Sequence, residues 1–65
     1  MLQTKVINKV KEQERLLLSM RENIERRGNN PNESPTIRYE TAKMIGMLDI
    51  LDVLKIDRSE FNWIF

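Results

Sequence analysis

Apolar residues in the first part of the chain recur at helical spacing. In "MLQTKVINKVKEQERLLLSMRENIERRG", Val6, Val10, Leu17, Met20 and Ile24 follow one another at intervals of three, four or seven, which lays them in one stripe along a helix. Gln3, Gln13 and Arg27 share that register, so the seam has polar interruptions. The spacing predicts a helix over about 4–27 with Thr4 as its N-cap. Glu22 and Arg26 form a well-oriented pair one turn apart. Arg26 and Arg27 lie where the helix dipole favours cations, and Gly28 suits the left-handed position that ends a helix.

The stretch "NNPNESP" reads as a connector over 28–34, because Asn favours turns and Pro31 cannot continue a helix. Ser34 followed by Pro35 has the order of an N-cap and a first helical residue. A second helix is expected over about 35–55. Two helices of matched length, roughly 30–36 Å, joined by a short connector give an antiparallel hairpin.

The second helix is apolar on two sides. Ile37, Met44, Leu48 and Leu51 lie within about 40° of one line on a helical wheel, and that face suits the stripe of the first helix. Tyr39, Ala42, Gly46, Ile50 and Val53 lie opposite, and one neighbour cannot cover both faces. A mid-helix glycine costs about 1 kcal/mol relative to alanine, and Ala42 and Gly46 have the spacing that lets two backbones approach. These five residues are therefore expected to mediate self-association, pairing two hairpins into a four-helix bundle.

After Lys55 comes "IDRSEFNWIF", and its last five residues hold three of the four aromatics in the sequence. Asp57 and Glu60 have the spacing of a capping box, so a terminal turn is expected over 57–65. Its aromatic residues could fold back over Leu2, Val6 and Ile7, swap onto a second copy, or anchor in a target. Met44, Met47, Phe61, Trp63 and Phe65, together with Tyr39, form the expected partner-binding set, since Met and aromatic side chains dominate adaptable interfaces.

Composition narrows the function. A chain of 65 residues is one domain and buries little surface for its length. Cys and His are both absent, which removes disulfides, thiolate nucleophiles and the usual transition-metal ligands. That favours completion of the core by another chain, and no cofactor or metal is expected. The carboxylate pairs Glu12/Glu14, Glu22/Glu25 and Asp49/Asp52 read as solvated edges, and no glycine-rich phosphate loop is present, so no catalysis is expected. Asp49 and Asp52 would keep "MLDILDVL" soluble and in register. No apolar run is long enough to span a membrane and no signal-peptide pattern is seen, which gives a cytoplasmic expectation. The sequon at Asn32–Ser34 then reads as chance.

The net charge of +1 is not that of a nucleic-acid-binding protein, although residues 1–28 carry seven Lys/Arg against four Glu and residues 29–65 four against six acids. Halves of opposite sign suit internal packing. Lys5, Lys9, Lys11 and Arg15 on the first helix give an alternative reading as a nucleic-acid-associated regulator. The connector is too long for a helix-turn-helix and the second helix too apolar for a groove. A structural assembly subunit is the third reading.

The stretch "RYETAKMIGMLDILDVLKID" resembles the second helix of small hairpin proteins of bacteriophages and prophages, where a Tyr, a small residue, a Gly and an LDxL run precede a short closing segment. The resemblance covers about a third of the chain. It implies a compact protein that binds a host protein and alters its activity, and it transfers no functional residue.

Overall fold

The computed structural model describes residues 2–64. Helix α1 spans Leu2–Arg26, a 3-10 turn Pro31–Glu33 forms the connector, helix α2 spans Pro35–Val53, and a second 3-10 turn spans Ser59–Ile64. The fold is an all-α helical hairpin with a short terminal turn. The helices run antiparallel: Gln13 bonds Glu40 across 27 residues of sequence, while Arg21, farther along α1, bonds Asn32 across only 11. The molecule is a rod of 40 × 17 × 17 Å.

Two left-handed residues reverse the chain. Gly28 has φ 78°, and the bonds Gly28 N–H to Glu25 O and Asn29 N–H to Ile24 O close α1 in a Schellman motif. Ser34 caps α2 by accepting from the Ile37 N–H at 3.3 Å. At the other end of α2 the same motif recurs on a residue with a side chain. Lys55 has φ 58°, its N–H bonds Asp52 O, and the Ile56 N–H bonds Leu51 O. Helix α2 thus ends at Val53 rather than at Lys55, and α1 starts at Leu2, which places Thr4 inside the helix rather than at its cap.

The core is the seam between the two inner faces. Val10 and Leu17 of α1 meet Ile37, Met44, Leu48 and Leu51 of α2, with Ile56 and Phe61 closing the cluster from below. Gln13 is the one buried polar residue in it, and its amide donates to the Glu40 carbonyl at 3.2 Å and to the Glu40 carboxylate at 2.6 Å. A buried amide without such partners would cost about 1–3 kcal/mol, so the two bonds hold the helices at one axial register.

The terminal turn lies back on its own hairpin. Phe61 is 2% exposed, the Trp63 indole N–H donates to Glu14 at 2.6 Å, Glu60 pairs with Lys11 at 3.6 Å, and Arg58 pairs with Asp52 at 2.9 Å. The expected capping box does not form. Asp57 accepts from Ser59 N–H and Oγ instead, and Glu60 turns toward α1. Val6 and Ile7 pack against the core, but Leu2 stays exposed, so the turn covers less of α1 than expected.

Two stability changes follow. Phe61→Ala should cost about 3–5 kcal/mol in a denaturant melt, because it empties the largest core side chain. Lys55→Gly should raise stability by about 0.5–1 kcal/mol in the same melt, because the left-handed backbone then carries no Cβ.

Candidate interaction surfaces

When the hairpin is complete, one face of α2 is still uncovered. Tyr39, Ile50 and Val53 are 68%, 54% and 80% exposed, and Ala42 and Gly46 are exposed between them. All five lie within about 80° on the helical wheel, opposite Ile37, Met44, Leu48 and Leu51. The face exists because α2 carries apolar residues on both sides while the chain supplies only one neighbour.

Gly46 has no use inside the chain. A Cβ built on it would meet nothing within 4 Å, and its backbone is ordinary right-handed helix. Lys43 and Asp49 flank the face, and neither makes an ion pair among the described residues.

A second surface lies on the flank of the hairpin, between α1, α2 and the terminal turn. It is a groove of about 530 Å³ with Leu18, Ile37, Ile45, Trp63 and Ile64 along its walls. At the connector end Arg21 and Arg38 line it, and both bind Asn32: the two Arg21 Nη atoms donate to Asn32 Oδ1 at 3.2 Å, and Arg38 Nε donates to the Asn32 carbonyl at 3.2 Å. Asn32 is itself held by a turn in which its N–H donates to Asn30 Oδ1, and Pro31 beside it is buried. Sequence reading missed this groove. Its parts come from three elements far apart in the chain, and of its lining residues only Trp63 had been singled out for partner binding.

The expected partner-binding set divides. Trp63, 44% exposed, lines the groove, and Met47 is half-buried against the core. Met44 and Phe61 are buried in the chain's own core, which corrects their expected role as contact groups: Met44 sits on the wheel between Ile37 and Leu51, and Phe61, between Glu60 on Lys11 and Trp63 on Glu14, is buried beside the middle of α1. Phe65 lies outside the described residues.

The basic residues of α1 do not form one edge. Lys5, Lys9, Lys11 and Arg15 spread over about 160° of the wheel. Glu12 sits among them and pairs with Lys9 at 3.5 Å, while Lys11 pairs with Glu60. Of the carboxylate pairs, Glu14 accepts from Trp63, Glu22 pairs with Arg26 and Asp52 with Arg58. No group of three or more Asp or Glu among the described residues could hold a metal ion, and no helix there is long and apolar enough to cross a membrane.

Comparison with protein-family models, curated proteins and solved structures finds no match to this chain.

Gly46→Ala tests whether the glycine serves the single chain. In a dilute sample it should raise thermal stability by about 1 kcal/mol, since alanine favours helix and the site is open.

Proposed function

We propose that this chain is a non-catalytic protein-binding module that works as a homodimer, pairing α2 with α2 of a second copy into a four-helix bundle to inhibit, adapt or regulate a partner protein. One observation carries the reading: an apolar face that the hairpin leaves open, with a helix-weakening glycine at its centre that no atom of the chain exploits. A glycine there lets a second backbone approach. The likeness of residues 38–57 to phage hairpin proteins points toward a host protein as the partner.

An antiparallel pairing fits the face best. Residues equally displaced from Gly46 then meet at the same height, so Ala42 faces Ile50 of the second copy and Tyr39 faces Val53. Small groups meet large ones, as close packing requires. A parallel pairing would set Ile50 against Ile50 and leave a gap at Ala42. Charge favours the same choice. Beside the open face, the first half of α2 presents Lys43 and the second half Asp49. Antiparallel packing sets basic half on acidic half and opposes the two helix dipoles.

The sequence has no cysteine, which makes crosslinking clean. Oxidising a mixture of Ala42→Cys and Ile50→Cys chains should give the mixed disulfide dimer in excess over either homodimer. An excess of Ala42→Cys homodimer would mean parallel packing. A monomer by light scattering at high concentration would overturn self-association itself. Gly46→Ala should also weaken the dimer, so its advantage in melting temperature should shrink as protein concentration rises.

A further inference from the structure

We infer that the flank groove binds a partner protein through a short segment carrying a large apolar side chain and a carboxylate about one helical turn apart. The inference goes beyond self-association, since the groove opens roughly a quarter-turn of α2 away from the Gly46 face.

Charge is the first argument. Every charged residue that lines the groove is a cation, and there are two of them, Arg21 and Arg38. They come from different helices yet bind the same residue, Asn32, through its side-chain and its backbone oxygen. Neither guanidinium makes an ion pair among the described residues. Two positive groups are thus held close together by a neutral residue with no counter-charge. The Nη atoms of Arg38 and Nε of Arg21 are not used in those bonds, so donors are available. A planar carboxylate suits such a pair, because guanidinium forks match its geometry. The guanidiniums are also fixed in advance by the connector, which lowers the ordering cost of binding.

Apolar surface is the second argument. Leu18 and Trp63 both line the groove and stay close to half exposed, and Ile45 adds apolar wall to it. Arg21 lies three residues beyond Leu18 on α1, one turn toward the connector. An apolar anchor seated at Leu18 and Trp63 therefore places a group one turn away beside the guanidiniums. On a helical ligand that is an apolar residue and an acid about three or four positions apart.

Trp63 is the only tryptophan, so its emission reports occupancy of the groove. The full chain, immobilised, is panned against a random peptide display library, and selected peptides are measured by Trp63 emission. The expected selection pairs Leu, Phe or Trp with Asp or Glu at that spacing. The double variant Arg21→Ala/Arg38→Ala should bind such peptides about ten- to a hundredfold more weakly. Replacing the peptide's acid by its amide should weaken binding to the unaltered chain equally, and the two changes together should cost no more than either alone. The peptide change keeps the test valid if the arginine variant fails to fold. Selected peptides lacking an acid, equal binding to the double variant, or no enrichment over a surface carrying that variant would each overturn the inference. A dimer variant such as Ile50→Asp should bind the peptides unchanged, which separates this site from the α2 pairing.

Discussion

The hydrogen bonds from Gln13 to Glu40 set the frame for everything else in the molecule. An apolar seam between two helices tolerates sliding, because one turn's shift replaces one aliphatic contact by another. A buried amide does not tolerate it, since a shift leaves the donor unpaired in a dry environment. With α1 and α2 fixed at this register, Arg21 comes level with Asn32 at the connector end of the groove. Glu14 is also brought within reach of the terminal tryptophan.

Much of the hairpin was legible in the sequence because its signals are local. The three-four stripe of α1, Gly28 after two arginines, and Ser34 before Pro35 each act within a few residues. Gln13 was visible as an interruption of the stripe, but its partner was not, because Glu40 reads as an ordinary surface acid. Lys55 gave no signal for a left-handed residue. The turn forms there because burial of Leu51 and Ile56, the two ends of the Schellman contact, outweighs the local strain. Met44 carried two readings, as part of the inner face and as a contact group, and its burial bears out the first. Its wheel position beside Ile37 and Leu48 decides its place, whatever the adaptability of a methionine side chain. The groove was out of reach, since no pattern in one segment encodes a surface assembled from α1, α2 and the terminal turn.

Helix α2 divides its circumference into faces with different tasks. One face makes the core, the opposite face is open and centred on Gly46, and the side between them forms a wall of the groove. Only Ala42 borders both open surfaces. Pairing through one surface therefore leaves the other accessible, and a two-fold assembly would display two grooves. That arrangement suits a small protein whose partner is itself dimeric or repetitive, because two linked sites bind such a target more tightly than either alone.

The terminal turn is joined to α1 by a bond between Trp63 and Glu14 that closes a loop of 49 residues, whereas the polar contacts between the helices close loops of 27 and 11. The turn carries Phe61 into the core and Trp63 into the groove wall, so the two are coupled through one short element. Opening removes Phe61 from the core and Trp63 from the groove at the same moment. A ligand of the kind inferred for the groove, seated against Trp63, would also clamp the core through Phe61, and a weaker core would loosen that surface.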